Sequence, residues 1–109
     1  MSSVYYNLKV ADDSTLKDLR SQTFDWDNKR ILKRNVASGD GDVSIPLTGL
    51  GTIVAVMVLT DITISVKIDT NTVPVDKLLF MECGDLTSLA VACADATGDT
   101  VEAIVWGVD

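Results

Sequence analysis

Asp61-Ile-Thr-Ile-Ser-Val-Lys-Ile-Asp69 sets Ile62, Ile64, Val66 and Ile68 in alternation with Thr63, Ser65 and Lys67. A period of two puts four branched apolar side chains on one face and polar ones on the other, as in a strand lying on a core. Working outward, the same pattern recurs with little chain to spare. Strands are expected at Lys29–Val36, Val43–Leu47, Thr52–Leu59, Asp61–Asp69, Lys77–Cys83, Thr87–Cys93 and Thr100–Trp106. Clusters with turn chemistry separate them: Ser38-Gly-Asp-Gly-Asp42, Thr48-Gly-Leu-Gly51, Thr70-Asn-Thr-Val-Pro74, Gly84-Asp85 and Asp95-Ala-Thr-Gly-Asp99. Short strands at this spacing predict an all-β fold, an antiparallel β-sandwich that is jelly-roll-like, with seven to eight strands. Ile53-Val-Ala-Val-Met-Val-Leu59 is apolar on both faces, so it is expected to be a central strand covered on both sides.

At 109 residues the chain is one domain, and 47% apolar composition is enough for a core without disulfides or metals. Residues 29–109 form the expected sandwich, and residues 1–28 read as an N-terminal arm. Val4-Tyr-Tyr-Asn-Leu-Lys-Val10 is a candidate short strand there. Ser14-Thr-Leu-Lys-Asp-Leu-Arg20 is a candidate for one or two helical turns, with Asp13 or Ser14 as N-cap. The opening residues lack the basic start and apolar run of a secretory signal, so a soluble product of a cytosol is expected. The apolar run Ile53–Leu59 falls far short of the ~20 residues that span a bilayer as a helix, and no membrane partner is expected.

Charge divides unevenly along the chain. Residues 1–34 carry seven of the nine basic residues against five aspartates, a net of +2. Residues 35–109 carry Lys67 and Lys77 against eleven acids, a net of −9. So acidic a body repels nucleic acid, whose binding depends on cations neutralising phosphates. The basic segment has two readings: contact with an acidic surface, or a strand edge whose Lys and Arg discourage edge-to-edge pairing.

Catalytic patterns are nearly absent. The chain has no histidine, the commonest general base and a frequent metal ligand. Ser14-x-x-Lys17 has the spacing of penicillin-recognising enzymes without their companion motifs, and reads as a helix start. Cys83 and Cys93 have no C-x-x-C spacing and no histidine beside them, so small apolar strand residues are expected, with a disulfide between neighbouring strands as the other reading. Asp25 and Asp27 read as solvated carboxylates. The Asp40/Asp42 and Asp95/Asp99 loops do not fit the twelve-residue calcium loop, and their aspartates read as turn formers. No enzyme, cofactor or metal is expected.

A resemblance points to a role. Asp61–Asn71, Asp76–Val91 and Ala96–Gly107 resemble the strand cadence of small β-sandwich structural proteins of tailed bacteriophages. That resemblance implies a virion location and a capsid decoration (cement) protein, commonly a homotrimer seated on the major capsid protein. A head-fibre base or tail protein is also compatible with it. Tyr5, Tyr6, Trp26, Arg30 and Arg34 are the expected partner-binding residues, since aromatic and Arg side chains anchor interfaces. The alternative is a glycan-binding module, with Tyr5, Tyr6 and Trp26 as its aromatic platform. Trp106, in phase with Ile104, is expected in the core.

Overall fold

A computed structural model describes residues 2–109. Ten strands follow one another: β1 (Ser2–Ala11), β2 (Leu16–Trp26), β3 (Asn28–Val36), β4 (Val43–Ser44), β5 (Thr52–Thr60), β6 (Ile64–Ile68), β7 (Asn71–Val75), β8 (Leu78–Glu82), β9 (Leu89–Ala92) and β10 (Asp99–Val108). One 3-10 turn, Ser38–Asp40, interrupts them. β1 and β2 form a hairpin of their own. The other eight form two antiparallel four-stranded sheets, β3-β10-β5-β8 and β4-β9-β6-β7.

The connectivity follows from one long hairpin rolled up. β6 pairs with β7, β5 with β8, β4 with β9 and β3 with β10, so the chain doubles back on itself at Asp69-Thr70. Rolling adds two further pairings, β10 with β5 and β6 with β9. Eight strands paired this way have the order of a jelly roll. The reversal is made at Asp69, which has a positive φ of 54°. Its carboxylate also accepts hydrogen bonds from the Thr87 and Ser88 backbone N–H groups and the Thr87 hydroxyl, at 2.8, 3.0 and 2.9 Å, tying the tip to the β8–β9 loop.

The core lies between the sheets. Ile53, Val56 and Val58 of β5 and Val101, Ala103 and Val105 of β10 meet Ile64 and Val66 of β6 and Leu89 and Val91 of β9. Ile53 joins Val56 and Val58 because a bulge at Val54 shifts the alternation by one, with Trp106 opposite Ala55 and Gly107 opposite Ile53. Gly107 is required there, since a Cβ would collide with the Leu50 carbonyl.

Four elements differ from expectation. The Val43–Leu47 strand is only Val43–Ser44, since Pro46 has no N–H with which to continue a ladder. Leu16–Arg20 is strand, not helix. The Asp12 carboxylate accepts the Ser14 and Thr15 N–H groups at 2.9 and 2.7 Å, which is capping chemistry used to close a hairpin turn. Asn71–Val75 is a strand, although Thr70–Pro74 has the composition of a turn, because β7 is at the edge of its sheet, where Pro74 is tolerated. The Asp61–Asp69 strand begins only at Ile64, since Thr60 Oγ1 both donates to the Ile62 carbonyl and accepts from its N–H, holding a turn before it. Ile64 and Val66 are nonetheless buried in the phase that the alternation predicts.

Candidate docking surface

The β3-β10-β5-β8 sheet has a second face, away from the core. Register places Lys29, Trp106, Ala55 and Glu82 across it in one row, and Ile31, Ile104, Met57 and Phe80 in the next. Leu59 and Leu78 follow beside Glu102 and Lys33. The middle row is apolar from edge to edge, so this face needs cover.

The hairpin supplies part of that cover. Alternation along β1 puts Val4, Tyr6, Leu8 and Val10 on one face, in register with Phe24, Gln22, Leu19 and Lys17 of β2. One extra residue on β2, at Arg20-Ser21 opposite Asn7, keeps Leu19 on that face. Ser21 has a positive φ of 54°, and the Asn7 side-chain oxygen accepts its N–H at 2.6 Å. Only the base of this face is seated. Phe24 meets Trp106 edge-on at 5.3 Å, and Tyr6 meets Phe80 edge-on at 4.7 Å. The Tyr6 hydroxyl donates to Glu82 at 2.6 Å, and that bond, which favours the protonated phenol, pushes the Tyr6 pKa up. Trp106 is 6% exposed, buried beneath the hairpin on the side away from the sandwich core.

Beyond the bulge the same apolar face runs on without cover. Among the described residues the large exposed hydrophobics fall in two places. Tyr5, Leu8, Val10, Leu16 and Leu19 are in the hairpin, and Ile31, Leu59 and Leu78 are on the sheet face beside it. Between them lies a cleft of about 430 Å³ with Tyr6, Leu8, Met57, Leu78, Phe80 and Trp106 in its walls. The outward row of the other sheet is Ser44, Ala90, Lys67 and Thr72, with no large apolar side chain. The apolar exposure is one-sided.

The residues expected to bind a partner separate here. Tyr5 is 76% exposed on the hairpin's outer face. Tyr6 faces inward and is committed to Phe80 and Glu82, while Trp26 is half-buried with Lys29 Nζ 5.1 Å from its ring centroid. Arg30 donates to the carbonyls of Pro46 and Thr48, pinning the loop before β5. Arg34 pairs with Asp40 at 3.4 Å. Lys29–Arg34 therefore lies along an edge strand, β3, with its two arginines turned to the rim of their own domain. Leu8, Val10 and Leu19 were absent from the expectation, although the alternation of Val4, Tyr6, Leu8 and Val10 is legible in the sequence.

The acidic loops are engaged locally. The Asp95 carboxylate accepts the Thr97 and Gly98 N–H groups at 2.8 and 2.9 Å, Asp40 accepts from Ala37, and Asp42 pairs with Lys67 at 2.7 Å. No group of three or more acidic or Cys side chains placed to hold a metal occurs among the described residues. Both cysteines are free, Cys93 buried and Cys83 half-buried; burial, then the nearby Asp85 charge, push the Cys83 thiol pKa up. No family model, curated protein or solved structure matches the chain.

Proposed function

We propose that this chain is a virion structural protein, a capsid decoration (cement) protein that docks through its N-terminal hairpin and stabilises the shell. The observation that carries this reading is the half-seated hairpin. A two-stranded ribbon is marginal alone, yet its distal half projects Leu8, Val10 and Leu19 past the surface that holds its base. An apolar face of this kind at the end of a rigid domain suits capture by another protein. Binding only the assembled shell stabilises it by mass action, with no chemistry required. The resemblance of roughly residues 43–107 to phage structural sandwiches is what points to the major capsid protein as the partner.

The test is co-purification with particles from a host producing the chain. Wild-type protein is expected at fixed stoichiometry on the heads, and Leu8→Asp with Leu19→Asp is expected to fold normally and leave them. Undiminished occupancy by that double variant sinks the hairpin reading. Retention on immobilised glycans, lost on Trp26→Ala, would favour the glycan-binding alternative.

A further inference from the structure

The sandwich has four edge strands, and three are blocked against pairing. β4 is two residues long, β7 contains Pro74, and β3 carries Lys29, Arg30, Lys33 and Arg34. The fourth, β8, reads Leu78-Leu-Phe-Met-Glu82, with no proline, no cation and a single acid. Its hydrogen-bonding phase is set by two contacts to β5: Thr60 N–H donates to the Lys77 carbonyl at 3.0 Å, and Cys83 N–H donates to Val54 at 3.0 Å. Odd-numbered residues therefore bond to β5, and the N–H and C=O groups of Leu78, Phe80 and Glu82 point to the free edge.

We propose that β8 pairs with β8 of a second copy, antiparallel about Phe80, to make one continuous eight-stranded sheet, a dimer in place of the homotrimer that the resemblance to phage structural proteins implies. The free backbone groups of the strand match their own copies in this register. Phe80 falls opposite Phe80 as a hydrogen-bonded pair, Leu78 exchanges bonds with Glu82 on both sides, and Leu79 lies opposite Met81. Charge is compatible with the same place: residues 35–109 carry a net −9, but β8 itself presents only one acid, Glu82. Leu78, 53% exposed, continues the apolar face already described, so pairing extends cover over it. The inference concerns the sheet edge and stands independently of where the hairpin docks.

Light scattering coupled to size exclusion, over a concentration series, tests it. The wild-type mass is expected to rise toward twice the 11.7 kDa of one chain. Leu78→Pro removes an N–H that β5 does not use, so the variant is expected to keep its fold by circular dichroism and remain monomeric. Two further variants read the register, because position 78 faces the partner's Glu82. Leu78→Asp is expected to dissociate at least about tenfold more readily than Leu78→Lys. A wild-type chain that stays monomeric, a mass of three chains, or a Leu78→Pro variant that associates like wild type would overturn the pairing. Equal effects of Asp and Lys at position 78 would do the same. So would hydrogen-exchange protection of Leu78–Glu82 that arises only on particles, which would make the occupant a shell strand.

Discussion

Phe24→Ala isolates the attachment of the hairpin from the stability of the sandwich. The Phe24 ring is half-buried and lies 5.3 Å from Trp106 at 75°, with Tyr6 and Phe80 at 6.4 and 6.3 Å. Half-burial of a phenylalanine contributes about 1 kcal/mol, and one edge-to-face pair adds roughly another 1 kcal/mol. A loss of about 2 kcal/mol raises the undocked population about 30-fold. None of those contacts is in the core between the sheets, so the loss falls on docking alone. Native-state hydrogen exchange is the assay: amides in Val4–Tyr6 and Gln22–Trp26 are expected to exchange about 30-fold faster, while those of Val56, Val58, Val101 and Val105 stay unchanged. If the hairpin and the core strands accelerate together, the hairpin is part of one cooperative unit and the reasoning fails.

Ile53→Ala works on the other side of the same sheet, where Ile53 is 1% exposed; a cost of about 2–5 kcal/mol is expected in guanidinium denaturation, felt by every strand of the sandwich. For Asp69, hydrogen bonds from Ser88 N–H and then from Thr87 hold the carboxyl below its ordinary 3.8. Because its folded pKa is depressed, its stabilisation is present above pH ~3.8 and is lost as pH falls through the lower folded value. Asp69→Asn keeps the positive-φ turn, and its stability deficit against wild type is expected to shrink as urea melts move from pH 5 to pH 2.5; a deficit constant over that range refutes the assignment.

The sandwich was legible because its inner faces are written in a period of two. Ile64 and Val66 are buried in the predicted phase, and the apolar run Ile53–Leu59 proves central to its sheet, between β10 and β8. Its second face is covered in part: Ala55 is buried and Met57 half-buried beside the hairpin, while Leu59 is 38% exposed. β2 departs from the helical expectation because Leu16 and Leu19 are spaced as on a helix, and the bulge at Arg20-Ser21 breaks the strand period at the point where it would show. The aromatic contacts of the site join residues far apart in sequence: Tyr6 with Phe80 and Glu82, and Phe24 with Trp106. No local pattern encodes such pairs. What local pattern could supply was the amphipathic face of β1, which pointed to a docked element without naming the surface beneath it.

The two proposed contacts constrain each other. Side chains opposite one another in a ladder point to the same face, so pairing β8 about Phe80 places the outward faces of both sheets on one side of the dimer. Each hairpin sits on that outward face, with Tyr6 on Phe80 and Phe24 on Trp106. A dimer therefore presents two hairpins in the same direction, and it presents to solvent the sheets whose outward residues are small or polar. Two hairpins on one rigid body bind a repeating lattice bivalently where its spacing matches theirs, and avidity then exceeds a single docking event by up to about 10²–10⁴-fold. Leu78→Pro, which alters one wall of the cleft but changes no hairpin residue, is thus expected to lower particle occupancy at limiting protein concentration and to recover it at high concentration. Leu8→Asp with Leu19→Asp acts on each hairpin directly and is expected to recover far less. Occupancy curves for Leu78→Pro that superimpose on wild type would mean that the hairpins engage the shell one at a time, and the link between edge pairing and docking would be broken.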